Sequence, residues 1–467
     1  MIPTFAVVGH PNKGKSSIVA TLAEDERLAI GPVPGTTRRA AAHTFAINDV
    51  PQYVLVDTPG FQRAGAVLEW LEARATTASA RPALVAEFLA AHEGDARFHD
   101  ECELLRPIVD GAGILYVVDG SKPYGAEYEL EMQILQWTGR PRMALINLIG
   151  EDDHQAEWRQ ALDQYFSLVR VFDAVAADFD TRVALLEVFG ELDPDWRPPL
   201  NAAVAALVEE RSRRRARSAQ EIADCLVDSL VMAEAEPVAE ETAVATTERR
   251  LMETLKKRLR RREERCRETV QGQYRHERLG REESAETLLE TDLFTESGWE
   301  LFGLSRQRLL LTGALSGALA GGGVDALLGG TSLALGAGIG ALVGGASAWF
   351  GGSELAKVKV LGETLGGQVV HVGPVKAPNF PWVLLGRAWL HHQLVAERNH
   401  AHRSAIAVAV RGEQNLMDGI NDGLARGLGR SFAQIRSRGD SPERRETLTR
   451  QIEAVLATSL TESSAAL

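Results

Sequence analysis

Gly9-His10-Pro11-Asn12-Lys13-Gly14-Lys15-Ser16-Ser17 follows directly on the apolar run Phe5-Ala6-Val7-Val8. The run has the length of a buried strand, and Ser17-Ile18-Val19-Ala20-Thr21-Leu22 after the turn reads as a helix. Between them the chain fits the pattern GxxxxGK[ST]. Glycines let such a loop curl tightly, so that successive backbone N–H groups face inward as an anion cradle. The helix that begins near Lys15 adds its positive N-terminal end. Strand, glycine turn and helix in this order predict a phosphate-binding loop over residues 9–17. Lys15 then reaches the β and γ phosphates of a nucleotide, and the Ser16 hydroxyl ligates Mg²⁺.

Two further stretches lie at useful distances. Asp57-Thr58-Pro59-Gly60 ends the apolar run Tyr53–Val56. An aspartate there can hold a Mg²⁺ water, and the Gly60 N–H can contact a γ-phosphate. Pro34-Gly35-Thr36-Thr37-Arg38 lies in a loop able to fold over the nucleotide, where a threonine hydroxyl completes the Mg²⁺ shell.

GHPNKGKSS, PGTTR and DTPG together resemble the Era/TrmE/EngA group of translation-factor-class GTPases, over roughly residues 1–175. The resemblance implies a Ras-like P-loop GTPase domain with a mostly parallel sheet, and GTP with Mg²⁺ as its ligands. It implies that Thr37, the second threonine, is the switch residue, with Thr36 beside the nucleotide. In the TrmE branch an asparagine at the place of Asn12 helps hold a potassium ion beside the phosphates, so the resemblance implies K⁺ there. The alternative is that Asn12 only hydrogen-bonds within the turn. The whole chain also resembles a bacterial family in which such a domain precedes a helical region and a glycine-rich apolar stretch. That wider resemblance implies architecture and gives no activity.

Two departures matter. A guanine-reading NKxD motif should follow the fifth strand, where this chain has Asn147-Leu148-Ile149-Gly150. Asn147 is kept, while the lysine and the aspartate are replaced, which weakens the case for GTP over ATP. Asp152 or Asp153, from a shifted loop, is the alternative source of the carboxylate. Where Ras-like proteins carry a water-orienting glutamine, this chain has Phe61, as many of the resembled group carry a hydrophobic residue. Gln62, one step on, is either catalytic or a solvent-facing switch residue.

The rest of the 467 residues is too long for one core. Apolar residues are 45% and charged residues 25%, an ordinary globular balance. The net charge of −13 counts against a protein that coats nucleic acid. Three scattered cysteines without a CxxC pair point to a reducing compartment and a cytoplasmic location. Six apolar runs, Thr4–Val8, His43–Ile47, Tyr53–Val56, Ile114–Val118, Met143–Ile146 and Leu168–Phe172, alternate with helix-like stretches and predict an α/β domain over 1–195. Residues 61–112 form an extension of switch II holding two or three helices, one starting at Arg81-Pro82. This is either a decoration or a partner-sensing element. Asp193 to Pro199 reads as a linker.

A mainly helical region follows over 196–305, with long helices at 200–236 and 241–280 separated by Pro237. Leu251, Leu255 and Leu259 mark the buried face of the second. Residues 353–467 carry a short strand at Gln368–Val372 and helices near 380–411 and 441–460. Between these regions, 306–352 is a glycine-rich apolar stretch. Gly313, Gly317 and Gly321 recur at i+4, as do Gly336, Gly340 and Gly344. That spacing gives a bare stripe against which another helix packs closely. Leu309–Val324 and Ala326–Gly352, with Asp325 at the turn and Arg306, Arg308, Lys357 and Lys359 on the flanks, read as a helical hairpin meeting the inner face of the cytoplasmic membrane. The alternatives are a buried hairpin in a soluble bundle and a homo-oligomer interface.

The basic runs Arg211–Arg217 and Lys256–Arg265 lack interleaved aromatics, so solvated helix faces are favoured over nucleic acid. His391, His392, His400 and His402 lack the spacing of a metal site. The expected function is a Mg²⁺-dependent, GTP-hydrolysing switch coupled to a membrane-associated or oligomerising helical half. Its rivals are a nucleotide-binding scaffold with little turnover and an RNA or ribosome-assembly GTPase. No protein partner follows from the sequence.

Overall fold

A computed structural model describes residues 2–24, 37, 39–150, 152–275, 293–294, 302, 354–360, 363–397 and 420–458. The glycine-rich hairpin expected over 309–352, together with Thr36, lies outside the described residues. The chain divides into two compact units, Met1–Arg211 with Glu397–Arg403, and Ser212–Ala396 with Ser404–Leu467.

In the first unit all six apolar runs are strands. They are β1 (Thr4–Val8), β2 (Ala41–Ile47), β3 (Val50–Asp57), β4 (Gly113–Asp119), β5 (Arg142–Asn147) and β6 (Leu168–Val171). The sheet order is β2-β3-β1-β4-β5-β6, parallel throughout except for the antiparallel β2–β3 hairpin. That hairpin turns at Asn48 and Asp49, whose φ angles of 49° and 64° suit Asn and Asp. Helices α1 (Lys15–Ala23), α2 (Ala64–Glu72), α3 (Arg81–Ala91), α4 (His99–Val109), α5 (Glu127–Trp137), α6 (Gln155–Leu162) and α7 (Phe179–Phe189) complete the layers. Along β1, Phe5 and Val7 join one core while Ala6 and Val8 join the other. A parallel sheet covered on both faces needs such unbroken apolar runs.

Residues 61–112 hold α2, α3 and α4, with Arg81 and Pro82 opening α3. The expected linker at 193–199 is not one. Trp196 is buried, meets Phe5 edge-on with ring centroids 5.0 Å apart, and lies over Gly113. A Cβ on Gly113 would stand 2.3 Å from the indole, so the close approach requires glycine. Trp196 leads into α8 (Arg197–Val231), whose first turn accepts Pro198 and Pro199 because its N–H groups have no helical acceptor. Leu200, Ala203 and Leu207 then join the core of the first unit, which carries its edge past the expected residue 195 to Arg211.

The second unit contains the rest of α8, β7 (Glu234–Val238), α9 (Val244–Gln273), β8 (Glu354–Val360), β9 (Glu363–Val372), α10 (Phe380–Glu397), α11 (Asp422–Arg438) and α12 (Pro442–Leu456). Pro237 does end the helical reading, but the expected helix to 236 stops at 231, and the residues around the proline form β7. β7 is an edge strand of the antiparallel sheet β7-β9-β8, where a missing N–H is tolerated. The strand expected at Gln368–Val372 is the end of the longer β9. Leu251, Leu255 and Leu259 are buried on α9 as the i+4 spacing requires. Part of the basic run on α9 is paired with carboxylates. Arg262 donates to Glu221 at 2.8 Å and to Asp228 at 2.9 Å, and Arg258 pairs with Glu234. Glu263, inside the same run, is buried 2.5 Å from Arg387 Nε.

Candidate nucleotide and metal site

Strand register brings the site together. β1 pairs with β3 so that Val7 faces Asp57, and β4 pairs with β5 so that Asp119 faces Asn147. The loop of residues 9–16 therefore leaves the sheet between two acidic strand ends. Thr58 fixes the level, its hydroxyl donating to the Val7 carbonyl at 2.8 Å. Gly60 lies against the loop so closely that a Cβ there would stand 2.5 Å from Pro11 N. No other residue lets the start of switch II touch the phosphate loop without moving it.

Lys15 is buried, and its ammonium donates to the carbonyls of Gly9 at 3.2 Å and His10 at 2.9 Å. Burial lowers its pKa to about 8, against the pull of Asp57 and Glu131. It remains charged at neutral pH and lies across the mouth of the loop. Ser16 Oγ donates to Asp57 Oδ2 at 2.8 Å, and Thr37 Oγ1 donates to the same oxygen at 3.0 Å. The two hydroxyls are 3.4 Å apart. Asp57 Oδ1 is buried with no hydrogen-bond partner among the described residues. Burial raises the Asp57 pKa, opposed by the hydrogen bonds from Ser16 and Thr37 and by the Lys15 charge. Two hydroxyls and a carboxylate with an unsatisfied oxygen form a hard-oxygen donor set that fits Mg²⁺.

Asn12 has φ 61°, a left-handed conformation that asparagine takes more easily than most residues, and its side chain is exposed. The backbone alone therefore accounts for an asparagine at this point. Asn147 is buried and bonded at both ends of its amide: its nitrogen donates to the Lys13 carbonyl at 3.2 Å, and its oxygen accepts from Ala174 N at 3.1 Å. It ties the phosphate loop to the segment after β6. Where an NKxD aspartate would stand, a Cβ on Gly150 would lie 2.9 Å from Ser121 Oγ. Ser121 in turn donates to Asp119 Oδ1 from both its N–H and its hydroxyl. Both substitute carboxylates, Asp152 and Asp153, are exposed, and Asp153 accepts from Gln155 N at 3.0 Å at the start of α6. Phe61 is buried and Gln62 is exposed.

Three functional neighbours were not singled out from the sequence. Glu131, buried on α5, has Oε1 2.9 Å from His10 Nδ1 and accepts from the Tyr116 hydroxyl at 2.8 Å. Glu101, buried on α4, accepts from Gln62 N at 2.9 Å and Arg63 N at 2.5 Å. Glu103 accepts from Ala40 N at 2.8 Å. A signal was present for two of these. Glu131 shares an i, i+3, i+4 stripe with Tyr128, Met132 and Leu135, and Glu101 shares one with Leu104, Leu105 and Ile108. A carboxylate on an otherwise apolar stripe needs a buried partner.

Two family patterns match. Residues 4–148 match the family described as "50S ribosome-binding GTPase". Residues 159–463 match the family described as "Domain of unknown function (DUF3482)". The GTPase Der of Desulfitobacterium hafniense (strain DSM 10664 / DCB-2) is 42% identical over 77 residues, 16% of this chain and 17% of that protein. The GTPase Der of Azoarcus sp. (strain BH72) is 47% identical over 70 residues, 15% of this chain and 16% of that protein. The chain thus spans about a sixth of the length of the curated relatives it matches. A crystal structure of Era in complex with MgGDPNP and nucleotides 1506–1542 of 16S ribosomal RNA aligns over 41% of this chain and 56% of that one, at 17% identity and a TM-score of 0.30.

Proposed function

The chain belongs to the family of the domain of unknown function DUF3482, carried here behind a P-loop GTPase domain, and we propose that it is a Mg²⁺-dependent switch that hydrolyses GTP and passes its nucleotide state to the C-terminal half. The observation that carries this reading is the convergence of Ser16, Thr37 and Asp57 beside the Lys15 ammonium. In phosphoryl transfer a protein mainly positions groups and stabilises charge. Lys15 holds the phosphates of the nucleotide, and the loop amides from residue 9 to residue 17 line them. Ser16, Thr37 and Asp57 hold the Mg²⁺, which when bound neutralises phosphate charge. The Gly60 N–H meets the terminal phosphate.

Phe61 excludes water from its own position and cannot orient one, which leaves Gln62 as the side chain able to reach the attacking water. A potassium ion at Asn12 is a finer reading supported by its exposed side-chain amide, a neutral oxygen ligand. Contact with the inner face of a membrane through residues 309–352, or self-association through the same stripe, is supported by the glycine spacing in the sequence. The description of the matched family favours a second reading, contact with the large ribosomal subunit. The net charge of −13 and the pairing of Arg258 and Arg262 with acidic side chains count against broad contact with RNA.

Turnover of GTP and of ATP, each with Mg²⁺ and with chelator, tests the main reading. Mg²⁺-dependent release of phosphate from GTP is expected. A protein that binds GTP without turnover would leave a nucleotide-binding scaffold.

A further inference from the structure

We propose that Glu101 and Glu103 of α4 are positioning residues that hold both nucleotide-facing loops from a single helical turn. The proposal rests on the hydrolytic reading above. Residues two apart on a helix point about 200° away from each other. Glu101 and Glu103 therefore leave α4 in nearly opposite directions. Glu101 is 1% exposed and accepts from the backbone N–H groups of Gln62 and Arg63. These precede α2, whose N-cap residue Arg63 makes no side-chain cap. Glu101 supplies the anion that the exposed N–H groups and the positive end of α2 call for. Glu103 accepts from Ala40 N, three residues past Thr37.

The chain is thus fixed two residues after Gly60 on one side and three residues after Thr37 on the other. Gly60 already touches Pro11, and Thr37 already touches Asp57. Gly60 with Gln62, and Thr37 with Ala40, are thus each held twice, once by the phosphate loop or Asp57 and once by α4. Residues 61–112 are on this account the part of the chain that senses both loops, rather than a decoration. Any displacement of Ala40, Gln62 or Arg63 must break a hydrogen bond to α4 or move the helix.

Glu101→Ala, Glu101→Gln and Glu103→Ala in the full-length protein test this. Hydrogen exchange in the nucleotide-free state is expected to speed up about tenfold or more at Gln62 and Arg63 in Glu101→Ala, and at Ala40 in Glu103→Ala. In Glu101→Ala, kcat for GTP is expected to fall about tenfold while KM stays within about twofold, since Glu101 touches no phosphate-loop residue. Glu101→Gln, whose amide oxygen still accepts, should restore kcat to within about threefold of wild type. Unchanged exchange at Gln62 and Arg63 would overturn the proposal. So would a joint loss of nucleotide affinity, kcat and melting temperature that glutamine does not rescue, since that marks a merely structural role. A wild-type protein without turnover would refute the hydrolytic reading alone, and amide exchange would then decide here.

Discussion

Lys15 is buried, yet its contacts are with the carbonyls of its own loop and with charges at the site, not with the hydrophobic core. Lys15→Ala should therefore leave the melting temperature nearly unchanged and lower affinity for GDP about a hundredfold, on the order of 3 kcal/mol for charge-assisted bonds to phosphate. Titration with a fluorescent nucleotide, beside a thermal melt, measures both. Asp57 makes a separable contribution. Asp57→Asn should remove the difference in GDP affinity between Mg²⁺ and chelator, because it takes away the only charged ligand in the donor set described. Persistence of a Mg²⁺ effect in that variant would move the metal elsewhere. At this scale the sequence was most legible in the loop itself, since a phosphate cradle depends on glycines and a lysine at fixed spacing. Asn147 was visible as a residue, but its task was not. Whether an amide reads a base or ties two loops depends on Lys13 and Ala174, neighbours that are distant in sequence.

Elements show the same division. The central strands β1, β4 and β5 were readable because strands buried on both faces have no polar positions to blur them. β7 was not, since five residues reading Glu-Ala-Glu-Pro-Val form a strand only where β9 supplies a partner. On α5, Glu131 serves as acceptor for Tyr116 and lies beside His10. Glu131→Ala leaves a buried hydroxyl unsatisfied and should cost about 1–3 kcal/mol, lowering the melting temperature by roughly 2–4 °C per kcal/mol. On α10, burial holds His391 neutral and lowers its pKa from 6.5 to about 3, with Arg267 and His392 pushing the same way. Once unfolded, this imidazole takes up a proton below about 6.5. Its effect is absent above that pH and destabilises the fold as pH falls from 6.5 toward 3, by up to about 1.4 kcal/mol per pH unit. His391→Leu should therefore flatten the loss of stability between pH 7 and pH 5, as followed by denaturant melts. An unaltered slope would place the acid sensitivity elsewhere.

The molecule as a whole reads in sequence as four regions, 1–195, 196–305, 306–352 and 353–467, whereas the chain divides into two units, and the end of the first was misread. The proline-rich stretch at 193–199 has the composition of a linker, and only the packing of Trp196 on Phe5 shows otherwise. A fragment of residues 1–211 should fold and bind nucleotide, whereas one of residues 1–195 should aggregate, having lost Trp196, Leu200, Ala203 and Leu207 from its core. Equal melting of the two fragments would disprove the role given to Trp196. At the same scale, flotation of the full chain with anionic lipid vesicles, and its loss on removal of residues 309–352, tests the membrane reading. The packing of Trp196 also bears on how the chain is made. Phe5 emerges in synthesis about 190 residues ahead of the ring that covers it. At roughly 5–20 residues per second, Phe5 waits something like ten to forty seconds for this last part of its cover. A nascent chain stalled before residue 196 lacks the Trp196 side of that core, which is then open to proteases and chaperones. Substitutions at Trp196 should accordingly lower the yield of protein from cells more than they lower the nucleotide affinity of the molecules that survive.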